Sequence, residues 1–191
     1  MQVVERYAFE DKVVEICVDE CPENPREEMD CAGTLWCWHT RYSFGNKQER
    51  QGAKSFDPSS YSGWEALEAA IRKEVKPVVL LPVYMYDHGG VALSTHPFGC
   101  RWDSGQVGFI FAKRDQLKNW GAKIATAKVK EMITAALEQE IKTYAAYANG
   151  DVLGWRCGED SCWGYYGLDE IPYMLEVALG AEAAKKASVV R

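Results

Sequence analysis

The stretch from Val78 to Thr95 restricts the possible folds of this chain more than any other. Val78-Val79-Leu80-Leu81 is apolar at consecutive positions, as in a strand buried on both faces. Pro82 lacks a ladder donor, so pairing on one side should change there before the strand resumes as Val83-Tyr84-Met85-Tyr86. Asp87-His88-Gly89-Gly90 reads as a tight turn, and Val91–Thr95 returns as the second arm. A hairpin of this kind commits its neighbourhood to antiparallel pairing.

Other strands follow from alternation and aromatic content. Val14, Ile16 and Val18 alternate with Glu15, Cys17 and Asp19. Further strands are expected over 34–40, 106–112, 152–157 and 162–166. Residues 43–63 read as a polar loop. A capping box from Ser62 to Glu65 predicts a helix over 64–75, ended by Lys76-Pro77. Asp115 should cap a short helix that ends near Gly121. A long helix over 124–148 carries Ile133, Leu137, Ile141, Tyr144 and Ala148 on one stripe, with Asn149-Gly150 as its C-cap. A last helix spans 169–186, and the tail 187–191 should fray. These readings predict one α+β domain over 1–191, with a largely antiparallel sheet and helices packed on one face.

Charge is uneven. The net charge is −6, yet residues 1–31 alone hold ten acids against three bases, a net of −7. Asp19, Glu20, Glu23, Glu27, Glu28 and Asp30 surround Pro22 and Pro25, so an exposed acidic loop is expected there. Such a surface disfavours non-specific nucleic-acid binding and favours a basic partner. No apolar run approaches the ~20 residues that span a bilayer, and the start shows no basic head with an apolar stretch. The expected location is therefore the cytoplasm, with no membrane partner. Seven cysteines are scattered without a C-x-x-C pair, so seven free thiols are expected and neither metal nor cofactor is called for.

Chemistry concentrates in two tryptophan-bearing segments, Cys100-Arg101-Trp102-Asp103-Ser104-Gly105-Gln106 and Asp160-Ser161-Cys162-Trp163-Gly164. Both are expected to be tight loops lying close together at one end of the sheet, with Trp102 and Trp163 mostly buried. The polar set around them comprises His39, Arg41, Asp87, His88, Cys100, Asp103, Ser104, Asp160 and Cys162. Cys100 with His88 and Asp87 would supply a nucleophile, a base and an orienting acid if they met. Asp103 and Asp160 would supply an acid–base pair, although an Asp before Ser or Gly also caps its own turn. Trp36, Trp38, Trp102, Trp155 and Trp163, with Arg41, Arg101 and Arg156 near them, suit either core packing or stacking on a planar ligand. No nucleophile motif and no phosphate loop of Walker or Rossmann type is present.

In order along the chain, Asn24-Pro25-Arg26-Glu27, Gly33 to Tyr42, Gly45-Asn46-Lys47, Leu81 to Gly90, Phe98 to Gly108 and Asp160 to Gly167 form a string of rare-residue motifs. The string resembles a largely uncharacterised family of phage and prophage proteins, over about residues 11–176. Gly90 and Arg101 stand where the family pattern has a serine and a proline. The resemblance implies a phage-type accessory protein that binds a host component, either a protein or a protein–nucleic-acid complex. Counter-defence, including inhibition of the anti-CRISPR kind, is its specific form. On this expectation the acids of 19–30 make the contact. The alternative is a small enzyme or a nucleotide or small-ligand binder with a pocket drawn from His39, Arg41, Asp87, His88, Cys100, Trp102, Asp103, Asp160 and Trp163.

Overall fold

The structure is a computed structural model that describes residues 2–46 and 50–190. Its elements are β1 (Val3–Phe9), β2 (Lys12–Val18), α1 (Pro25–Glu28), β3 (Thr34–Cys37), α2 (Arg50–Lys54), α3 (Trp64–Glu74), β4 (Val79–Asp87) and β5 (Val91–Ser94). They continue as β6 (Ser104–Ala112), α4 (Ala127–Asn149), β7 (Val152–Cys157), β8 (Asp160–Tyr166), α5 (Ile171–Leu179), α6 (Ala181–Ala184) and β9 (Ser188–Val190). The class is α+β, and every strand pair is antiparallel.

The strands form two sheets where one was expected, and each sheet lies in its own compact unit of the chain. Residues 1–24 and 146–191 build the first unit, and residues 25–145 the second. The first holds a five-stranded sheet in the order β8-β7-β2-β1-β9. Val14, Ile16, Leu153 and Trp155 line one face of that sheet and bury Ile171, Met174 and Leu175 of α5. The tail expected to fray instead pairs as β9 along β1, through Arg6↔Val190, Tyr7↔Val189 and Ala8↔Ser188. The helix expected over 169–186 breaks at Gly180, whose φ of 89° does not continue a helix.

The second unit holds a four-stranded sheet in the order β3-β6-β4-β5. Here the helices cover both faces. Phe109 and Phe111 of β6 pack with Trp36, Leu80 and the Leu67–Ile71 stripe of α3. Ile110 points the other way, to the side where Leu137 of α4 closes on Gly33. This accounts for the continuous burial of Val107–Ala112. Pro82 stays in β4, paired with Phe109, and β4 begins pairing with β5 only at Tyr84. The capping box expected for α3 does not form: Gly63 is the N-cap and makes no side-chain bond. The short helical turn Arg114–Trp120 is likewise capped at Lys113, whose N–H donates to Gln116 Oε1 at 2.6 Å, and not at Asp115. Residues 47–49 of the 43–63 loop, and Lys47 of the motif string, lie outside the described residues.

Two motif pieces turn out to be structural. Arg26, almost fully buried in α1, donates to Glu140 Oε2 at 2.6 Å, Gly33 O at 2.5 Å and Asn46 Oδ1 at 2.9 Å. Glu140 of α4 accepts from Ala32 N at 2.5 Å, and Asn46 accepts from Leu35 N at 2.9 Å. Gly45, at φ 94°, lies so close to Leu35 O that a side chain there would collide with backbone. Asn-Pro-Arg-Glu and Gly-Asn are therefore two halves of one lock that ties α1, β3 and α4 together.

Candidate functional site

Beyond Cys37, Trp38 N donates to Val107 O at 2.8 Å and the chain then leaves the sheet. His39 organises the turn that follows. Its Nδ1 accepts the N–H groups of Arg41 and Tyr42, each at 3.2 Å, so the neutral ring carries its proton on Nε2. The rings of His39 and Tyr42 stack at 5.2 Å, and those of Tyr42 and Phe44 at 5.1 Å. Tyr42 OH donates to Asp87 Oδ2 at 2.9 Å, and Arg41 Nη1 reaches the same oxygen at 3.2 Å. That bond holds the phenolic proton and raises the Tyr42 pKa.

Asp87 closes β4 beside the loop 100–103. Its N–H donates to Asp103 O at 2.9 Å. Asp103 Oδ2 stands 3.2 Å from His88 Nδ1 and accepts from Cys100 Sγ at 3.8 Å. Ser104 Oγ donates to Cys100 O and pins the other end of the loop. His39, Arg41, Asp87, His88, Cys100, Asp103 and Ser104 are thus linked through Asp87 and Asp103. The linkage has the wrong order for nucleophilic catalysis. A thiol is activated by an imidazole that an acid orients, but here the carboxylate contacts both Cys100 and His88.

Trp102 corrects the expectation of burial. It is 95% exposed at the tip of this tethered loop, next to exposed Arg101. Asp160, Cys162 and Trp163 correct it in another way. They lie on β8, a strand of the first unit, while Cys100–Asp103 leads into β6 of the second, so the two motif segments belong to different sheets. Trp163 is 37% exposed, and its indole lies over Gly154, its partner on β7. Gly164, at φ 86°, is the bulge that lets β8 slip one residue between Tyr165 and Trp163.

Among the described residues no three His, Cys, Asp or Glu side chains gather to hold a metal. Burial pushes the Cys37 thiol up to about 12, which keeps it protonated. All seven cysteines are free. The acids of 19–30 split between the units, with Asp19, Glu20 and Glu23 in the first and Glu27, Glu28 and Asp30 in the second. All but Asp19 are exposed, yet the backbone is not simply a loop: α1 interrupts it, with Pro25 and Arg26 buried.

Sequence reasoning missed Tyr42, Asn46 and Glu140. Glu140 directly precedes Ile141 of the apolar stripe on α4, and that adjacency was the available signal. No helix among the described residues is long and apolar enough to cross a membrane. No protein-family profile, curated protein or solved structure matches the chain.

Proposed function

We propose that the protein acts by binding a macromolecular partner, a host protein or protein–nucleic-acid complex, in the manner of a phage-type accessory protein. Exposure of Trp102 carries this reading. An indole left 95% in water on a loop fastened by Asp103 and Ser104 is a rigid anchor, and such aromatics dominate binding at interfaces. The exposed Glu20, Glu23, Glu27 and Glu28 add a field that attracts Lys and Arg on a partner. Counter-defence is the specific form proposed.

The test is phage plating on defended and undefended hosts that express the protein or its variants. The parent should rescue plating only on defended hosts, and Trp102→Ala or replacement of the four glutamates by Gln should weaken rescue. Equal plating on both hosts would sink counter-defence. Full activity of both surface variants, with loss in a folded Cys100→Ser or Asp103→Asn protein, would favour the enzyme reading instead.

A further inference from the structure

A cleft of about 740 Å³ opens between the segment after β3 and residues 53–64. Its size falls within the ~300–1,000 Å³ usual for small-molecule sites. Two aromatic groups line it. One is the stack of His39, Tyr42 and Phe44. The other is Trp38 with Trp64, ring centroids 6.2 Å apart. Trp38 is fixed in plane because its indole N–H donates to Ala53 O at 3.2 Å, and Tyr42 is fixed by Asp87.

The charges of the lining run against those of the whole chain. Among the described residues Arg41 and Lys54 line the cleft with one acid, Asp57, in a protein of net charge −6; Arg41 keeps its ion pair with Asp87 at 3.2 Å, yet its side chain is 72% exposed. Asp57 is occupied locally: its carboxylate accepts the Ser59 N–H at 2.9 Å, and that bond lowers its pKa. With both backbone N–H groups on Nδ1, the neutral His39 ring keeps an Nε2–H donor. Flat rings with fixed planes, two cations and an imidazole N–H are the parts needed to hold a planar heterocycle joined to an anion.

We propose that this cleft binds a nucleoside monophosphate, with the base stacked on the aromatic rings and the phosphate held by Lys54 and Arg41. No residue of the 100–104 loop lines this cleft, which meets that loop only through Asp87, so the proposal does not rest on the partner-binding reading. The test is calorimetric titration of the full chain with AMP, adenosine and inorganic phosphate. AMP should bind at least about tenfold more tightly than adenosine, because only AMP engages both halves of the cleft, and inorganic phosphate should give no saturable heat. Lys54→Glu, a change at an exposed position, should leave the melting temperature unchanged and weaken AMP by about tenfold or more. Trp38→Leu should weaken both AMP and adenosine; if it does not fold, Lys54→Glu decides alone. Absence of AMP binding at millimolar concentration, adenosine binding as tight as AMP, or an unchanged Lys54→Glu affinity would each overturn the proposal.

Discussion

At the scale of single residues, burial separates two roles that look alike in sequence. Arg26 and Trp102 both sit in rare-residue motifs, but one is sealed in an ion pair and the other stands in water. Arg26→Ala would leave Glu140 without its cation, and breaking a buried pair in this way costs about 3–5 kcal/mol. Urea denaturation should show that loss as a lower midpoint. Trp102→Ala should change stability by under about 0.5 kcal/mol, because the ring buries almost nothing. If Trp102→Ala instead lowered the midpoint as much as Arg26→Ala, the loop would be packed and its role as an exposed anchor would fail.

At the scale of elements, β6 offers a test within one strand. A Cβ on Gly108 would collide with Trp36 O and lie 2.9 Å from Cys37 Cα, both backbone atoms that cannot move without breaking the β3 pairing. A Cβ on Gly105 meets nothing within 4 Å. Gly108→Ala should therefore destabilise by about 1–3 kcal/mol, as overpacking does, while Gly105→Ala stays near neutral in the same thermal melts. In the first unit, Glu15 of β2 bridges Arg156 of β7 at 2.5 Å and Arg6 of β1 at 3.0 Å. The bond to Arg156, then that to Arg6, lowers the Glu15 pKa below its ordinary value. A carboxylate with a depressed folded pKa stabilises above its unfolded value, about 4.3, and loses that contribution as pH falls through the folded value. The stability difference between the parent and Glu15→Gln should thus be largest near neutral pH and shrink below about pH 4. A difference independent of pH would mean that the ladder contributes nothing.

At the scale of the whole molecule, the acidic balance should govern what the chain meets. Net charge −6, with a net of −7 in residues 1–31, repels polyphosphate. Random duplex DNA should be retained weakly in a filter assay, and tight, salt-sensitive retention would contradict this. All seven thiols are free, so alkylating the denatured, unreduced chain should add seven labels by mass spectrometry. A missing pair at Cys157 and Cys162 would reveal an oxidised form.

Local periodicity and turn chemistry determined most elements without help. The hairpin of β4 and β5 follows from an apolar run meeting Asp-His-Gly-Gly, and the stripe of α4 from apolar side chains at Ile133, Leu137, Ile141 and Tyr144. The gathering of His39, Arg41, Asp87, His88, Cys100 and Asp103 was legible as a set of residue types, but its connectivity was not. That Asp103 contacts both Cys100 and His88 depends on how the end of β4 faces the loop before β6. The exposure of Trp102, the pairing of β9 with β1 and the division of the strands into two sheets were likewise invisible in the string of residues. Each depends on contacts far apart in sequence: a tryptophan fits a core and a surface anchor equally well, and a short apolar tail becomes a strand only when an edge is there to receive it. Local preference chose the elements, and long-range packing decided which side chains were spent on the fold and which were left facing water.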